Sequence, residues 1–287
     1  MRFLKKSLDK MELNLPVIIL LAVILSIIIM AIGAEIIAPH SPLKINLVKR
    51  FMPPAFIEGG DWSYPLGTDG IGRDILSRII FGARVSLITA STALFIGGAV
   101  GATVGLVAAI FEGRWVSVLL MRIVDSLIPI PMIVTGLLMA MIFGPSLRNV
   151  VIAIAIISTS RYARVIRGEA LGVLQQDFIA QARVAGSSMI RIIWQHLFPN
   201  VINTVLVMVT LMVGWAILVE ASLSFLGAGI PPPAPSWGRM VAEGRDYVDT
   251  AWWISVLPGT TVLVVVICVN LLGDWLRDRL DPKLRQV

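Results

Sequence analysis

Val85 to Phe111 reads VSLITASTALFIGGAVGATVGLVAAIF and contains no charged residue. A helix needs ~18–20 apolar residues to cross ~30 Å of hydrocarbon at 1.5 Å rise per residue, and this run exceeds that length. Leu13 to Ala34, Ser126 to Leu147, Leu197 to Val219 and Thr250 to Gly273 are likewise uncharged and long enough. Backbone amides cannot stay unpaired in lipid, so each run must be a helix. Composition agrees: 57% of residues are hydrophobic and 15% charged, against roughly 25% charged in soluble domains. Asn149 to Ser160 is shorter, but Arg161, Arg164 and Arg167 follow on one helical side, where long basic side chains can snorkel to the interface. A helix from Asn149 to about Gly168 completes the set. The fold class is therefore an all-α membrane protein with six transmembrane helices. The first run follows Arg2, Lys5, Lys6 and Lys10; it exceeds a signal-peptide core of ~7–15 residues and ends in no clean cleavage site, so it reads as a retained helix.

Six crossings place both termini on one side. That side collects 14 basic residues, at the N-terminus, at Arg114, between Arg161 and Arg191, and after Asp274. The two short loops opposite hold only Arg148, Arg239 and Arg245. The positive-inside rule makes the termini cytoplasmic. The net charge of +6 then reflects topology and does not point to nucleic acid. Ala93, Gly97, Gly101, Gly105 and Ala109 form a stripe of small residues that lets a second helix approach closely. Pro129 and Pro131, and Pro258 with Gly259, are expected to kink their helices. Ala38–Arg84 and Gly227–Ala251 carry loop signals. The Pro231–Pro235 stretch reads as stiff and extended, with Trp237, Trp252 and Trp253 as an interfacial aromatic belt.

Little chemistry is encoded. No Gly-Lys pair occurs, which excludes a Gly-x-x-x-x-Gly-Lys-Ser/Thr nucleotide loop. With two histidines, His40 and His196, and the single Cys268, no metal site can be assembled from the usual spacings. Gly67-Thr68-Asp69-Gly70-Ile71-Gly72-Arg73-Asp74 matches neither a calcium loop nor a dinucleotide fingerprint and reads as a structured turn leading into a helix. Arg122 and Asp125, three apart, are expected to form a structural ion pair. Glu220, unpaired locally, is the pathway candidate, with Trp215 five residues before it.

The most informative segment lies between the fourth and fifth helices: Gln175 to Asn200, QQDFIAQARVAGSSMIRIIWQHLFPN. Phe178, Ile179, Ala182, Ala185, Met189, Ile192 and Ile193 recur at helical spacing. Gly186-Ser187-Ser188 divides the segment into two short helices, with Ser187 or Ser188 as an N-cap, and Pro199 starts the next span. An apolar helix face in the cytoplasm implies a partner or the membrane surface.

This segment resembles the "EAA" cytoplasmic loop of ABC-importer permeases, with Ala182, Gly186 and Pro199 at matching positions. PLGTDGIGRDILSRIIFGARVSL (Pro65–Leu87), EASLSFLGAGIPPPAPSWGRM (Glu220–Met240) and NLLGDWLRDRLDPKLR (Asn270–Arg285) resemble the C-type subunit of dipeptide/oligopeptide importers. The resemblance covers nearly the whole chain. It implies a type I importer permease fold with a cytoplasmic coupling helix, a homologous second permease subunit, two ATPase subunits and a solute-binding protein. It further implies an inner-membrane location, contact with lipid, and no cofactor on this chain, with ATP and Mg on the partners. The domains expected are 1–55 (first helix), 56–83 (periplasmic), 84–274 (permease core) and 275–287 (tail). The ATPase-coupling residues implied are Gln181, Ala182, Arg183, Gly186, Ser187, Met189 and Arg191. The motif's Glu is replaced by Ala180 and its first Ala by Gln181, leaving Asp177 and Gln181 as the nearest polar substitutes. Related permeases import nickel, glutathione or other small solutes. A rival of another class, an ion-coupled carrier or intramembrane enzyme, would need a carboxylate relay or a paired nucleophile and base, and the spans show neither.

Overall fold

The computed structural model describes residues 14–280. Leu13 and the basic residues Arg2, Lys5, Lys6, Lys10, Lys283 and Arg285 lie outside the described residues. Every regular element among the described residues is helical: α1 Leu15–Ile32, α2 Ala34–Ile37, α3 Ile75–Ile110, α4 Trp115–Leu127, α5 Met132–Phe143, α6 Leu147–Leu174, α7 Asp177–Val184, α8 Met189–Ile192, α9 Phe198–Phe225, α10 Trp237–Gly244 and α11 Trp253–Leu280. Short 3-10 turns occupy Leu47–Lys49 and Arg245–Tyr247, and a π-helical turn, Ile193–Leu197, joins α8 to α9.

Five helical stretches are long and apolar enough to cross a membrane, and α4 with α5 makes a sixth only as a pair bent by 87°. The third span, expected over Ser126 to Leu147 with a kink at Pro129 and Pro131, is broken at those prolines and starts earlier, at Trp115. Pro129 and Pro131 lack N–H donors and cannot continue the hydrogen-bond ladder of the helix. Pro131 takes an extended conformation and α5 begins after it.

The second span starts earlier than its uncharged run. Asp74 accepts from the Ser77 N–H at 2.9 Å and so caps α3. From there α3 is 36 residues, about 54 Å at 1.5 Å per residue, so its first turns extend beyond the bilayer. The fourth span, α6, is capped by Ser146, which accepts from the Asn149 N–H at 3.2 Å, and runs on to Leu174. Arg161, Arg164 and Arg167 are thus interior to it and do not snorkel from its end.

α3 and α6 form the central pair. The small-residue stripe faces α6: a Cβ on Gly101 would lie 2.6 Å from the Thr159 carbonyl oxygen, so no larger side chain fits without moving a helix. Thr159 also reaches the Gly97 carbonyl across the gap, donating at 3.3 Å. Around this pair a continuous apolar core joins Ile27 of α1, Leu94 of α3, Ile154 of α6, Ile217 of α9 and Val265 of α11.

Candidate functional site

Two regions at opposite ends of the bundle hold the residues singled out above. At one end, α7 and α8 form a break built by backbone chemistry. Gly186 has φ +79°. The Ser187 N–H donates to the Ala182 carbonyl and the Gly186 N–H to the Arg183 carbonyl, both at 3.0 Å. That pairing closes α7 with a left-handed Schellman cap, which glycine adopts without strain. Ser188, not Ser187, is the N-cap of α8, and its Oγ accepts from the Arg191 N–H at 3.3 Å. Pro199 cannot donate to the preceding turn, and the ladder shifts register just before it: the Phe198 N–H reaches back to the Ile193 carbonyl. The Asn200 side chain donates to the His196 carbonyl at 2.6 Å, satisfying part of the disrupted ladder.

The apolar positions of this segment do not share one free face. Ile179 and Ile192 are fully buried, fixing α7 and α8 to the protein itself. Ile193 and Leu197 join a small core with Ala109, Ile166 and Val201. The outward surface instead presents Val184 (91% exposed), Ile190 (70%) and Met189 (41%). Gln181, Arg183, Gly186 and Arg191 are exposed beside them, while Ala182 and Ser187 are half-buried. Val184 and Ile190 were missed because both lie off the stripe of positions that helical spacing picks out.

Three arginines of α6 reach neighbouring elements, Arg167 nearest this end and Arg161 midway along the helix. Arg167 donates to both carboxylate oxygens of Glu112, at 2.8 and 3.0 Å, and the Arg161 guanidinium lies 4.4 Å above the Trp215 ring. Arg164 donates to Asp125 at 2.6 Å. This corrects the expected Arg122–Asp125 pair. Packing of α4 on α6 turns Asp125 toward the neighbouring helix, whereas Arg122 points outward and is exposed.

At the far end, Glu220 is 0% exposed. It is not isolated: Ser86 Oγ and Ser224 Oγ each donate to it at 2.8 Å, and the Ser236 hydroxyl lies beside it. These hydroxyls come from α3, α9 and the N-cap of α10. The arrangement ties three elements together around a carboxylate with no ion pair among the described residues. Trp215, the other pathway candidate, is half-buried under Arg161, five residues before Glu220 on the same helix.

Beyond Glu220 lies a cap that sequence reasoning did not reveal. Asp69 accepts from the backbone N–H groups of Ile71 and Arg73, from Arg73 Nε at 2.6 Å and from Arg78 at 2.7 Å. Arg73 and Arg78 both continue to Glu243 at 2.8 Å, which also pairs with Arg239. Arg78 and Asp69 are 1% and 2% exposed, so this pair is shielded from water and screened little by salt, while Glu243 and Arg239 lie nearer the surface. Trp237 and Trp253 are 1% and 6% exposed. Their indole N–H groups donate to the carbonyls of Ile79 and Thr68 at 2.9 and 3.1 Å. They are struts of the cap rather than members of an interfacial belt, since a backbone acceptor lies within reach of each buried indole.

The chain matches the model of a protein family over residues 101–286, described as the binding-protein-dependent transport system inner membrane component. It is 40% identical over 261 residues to the di/tripeptide transport system permease protein DppC of Pseudomonas aeruginosa, covering 91% of this chain and 86% of that one. It is 37% identical over 273 residues to the dipeptide transport system permease protein DppC of Haemophilus influenzae, covering 95% and 92%. The equally named protein of Escherichia coli K12 shows 37% identity, covering 95% and 91%. Among solved structures, a chain of the inward-facing MetNI methionine ABC transporter superposes with a TM-score of 0.57 at 17% identity, covering 70% of this chain and 95% of that one.

Proposed function

The chain belongs to the family of binding-protein-dependent transport system inner membrane components, and on that premise we propose that it is the permease subunit of an ATP-driven importer of di- and oligopeptides. The observation that carries the reading is the α7–α8 break: a helix pair that buries Ile179 and Ile192 and presents an outward apolar surface at Val184, Met189 and Ile190. Such a surface suits docking into a groove on a cytoplasmic ATPase, with Gln181, Arg183 and Arg191 as polar contacts at its margin. Ala182, Gly186 and Ser187 set the shape of the break. In this reading the α7–α8 end and both termini face the cytoplasm, the cap of residues 38–74 and α10 faces outward, and residues 84–274 are the permease core. A homologous second permease subunit completes the pathway, two ATPases bind ATP and Mg, and a solute-binding protein delivers the peptide.

Glu220 and Trp215 receive different roles from those expected. Glu220, enclosed by three hydroxyls, holds the outer cap to the bundle. Trp215 supports the Arg161 side chain.

The test is uptake by proteoliposomes containing the permease pair and its ATPases, with the solute receptor supplied outside. ATP-dependent accumulation of a labelled dipeptide supports the assignment. Accumulation of nickel or glutathione in place of peptide would reassign the substrate. Absence of any ATP-hydrolysing subunit from the complex isolated in mild detergent would overturn the importer reading.

A further inference from the structure

Two cavities lie between α1 and the rest of the bundle. The larger, about 450 Å³, is lined by Ile28, Ala31, Ile32, Leu87, Ile88 and Val213 among others, with Arg84 at its rim. The smaller, about 190 Å³, continues from Ile28, Leu87 and Val213 toward Thr210, Val265 and Val269. Shared walls make them one crevice running lengthwise between membrane spans. The hydroxyls along it are already used: Ser91 donates to the Leu87 carbonyl and Thr210 to the Val207 carbonyl. Water entering the crevice would find few partners, and a void of this polarity is filled favourably by hydrocarbon. Its mouth is apolar too, since Ile28, Ile32 and Ile88 are 40%, 75% and 50% exposed. The crevice is therefore continuous with the lipid-facing surface of α1.

A cationic group stands at one end of this apolar slot. Arg84 donates to the Ala31 carbonyl at 2.8 Å and the Ile32 carbonyl at 3.0 Å, so it is held in place at the end of α1. Its remaining nitrogen pairs with Glu35 at 2.9 Å, whose side chain is 74% exposed. A surface pair of that kind is weak, and an anionic oxygen can take its place on the guanidinium.

We propose that this crevice binds a membrane phospholipid, one acyl chain lying between α1 and α9 and the phosphate resting against Arg84. The slot size falls in the range of pre-formed small-molecule sites, and its length follows the spans. The site fills the gap that a peripheral first helix leaves beside the core.

The test uses the intact transporter in nanodiscs of phosphatidylethanolamine and phosphatidylglycerol, doped with phosphatidylglycerol carrying a diazirine on one acyl chain. After photolysis, labelling is mapped by peptide mass spectrometry. Residues 24–32 and 210–213 should be labelled about tenfold more than the segment around Phe95, an occupancy ratio equivalent to ~1.4 kcal/mol. Phe95 is 77% exposed and serves as the reference for a span position outside this crevice. Ile28→Trp and Val213→Trp, which fill the slot, should each reduce labelling to the Phe95 level. Arg84→Gln should reduce it partly, with the chain slot intact. If Val213→Trp fails to fold, Ile28→Trp decides, because Ile28 is at the open side. Uniform labelling, Trp variants that label like the parent, or crosslinks from these residues to the second permease subunit in place of lipid would each overturn the proposal. The readout is independent of transport, so failure of the peptide assignment leaves it standing.

Discussion

Gly186 offers a direct test of how the α7–α8 break works. Its φ of +79° is one that an L side chain adopts at a cost of roughly 1–2 kcal/mol. A Cβ built there meets nothing within 4 Å, so substitution adds no steric clash within the chain and the whole cost is backbone strain. If the left-handed break is the shape a partner recognises, Gly186→Ala lowers the population of that shape by roughly 5–30-fold. ATPase binding weakens by the same factor, and Gly186→Asn loses less because Asn tolerates this region better. Gly186→Arg adds bulk in the open space where the partner would sit, and should abolish docking while membrane insertion stays normal. The assay is titration of purified ATPase subunits onto detergent-solubilised permease, read by co-elution. The order expected is glycine, asparagine, alanine, arginine. Equal affinity for all four, or normal capture by the arginine variant, would refute both the conformational argument and the docking site.

Three further outcomes follow from the far end and the central pair. Glu220→Leu leaves the Ser86 and Ser224 hydroxyls without their acceptor and should destabilise by ~2–4 kcal/mol, whereas Glu220→Gln keeps an acceptor and should fall by ~1 kcal/mol or less. Thermal denaturation in detergent reads both, and a Gln variant of normal stability without transport would restore Glu220 as a pathway residue. Arg78→Met strands Asp69 and Glu243 with fewer cations and should cost ~3–5 kcal/mol, with faster proteolysis of residues 38–74; a Lys replacement should rescue poorly because it cannot span both carboxylates. Gly101→Leu forces α3 from α6 and should abolish membrane accumulation, while Gly168→Leu on α6, where a Cβ meets nothing within 4 Å, should accumulate at half the parental level or more. Similar accumulation of the two would show that the stripe does not carry the packing.

Local pattern explains what the sequence made legible. Uncharged runs report where spans lie, prolines report the α4–α5 break, and Gly186-Ser187-Ser188 reports the end of one short helix and the start of another. Each of these signals lies within a few residues of its effect. The missed features are pairings across distance. Asp125 has a cation three residues away, but helix packing gives it Arg164 at 2.6 Å. Arg78 and Glu243 are 165 positions apart, and no periodicity links them. Helical spacing placed Ile179, Ile192 and Met189 on one stripe, yet it carries no information on which side the bundle covers. Glu220 looked unpaired because its partners are hydroxyls on other elements, and serine gives no charge signal.

The two ends of the molecule meet in one helix. α9 begins at the π-helical turn that follows α8 and ends a turn beyond Glu220, 28 residues in all, or about 42 Å. Pro199 stands in its first turn, and no proline interrupts it afterwards. The register shift at Ile193–Leu197 is therefore the place where the coupling segment can turn relative to the span, since a π turn interrupts the regular ladder. Past that point α9 is stiff. On the proposed function, a pull on α8 that leaves the π turn unchanged displaces the Glu220 end as a rod, and with it the hydroxyls of Ser86 and Ser236 that join α3 and α10. A pull absorbed by the π turn reaches no further. The Asn200 side chain, which donates to the His196 carbonyl inside that turn, helps set which of these happens, because it stiffens the joint between the docking surface and the rod.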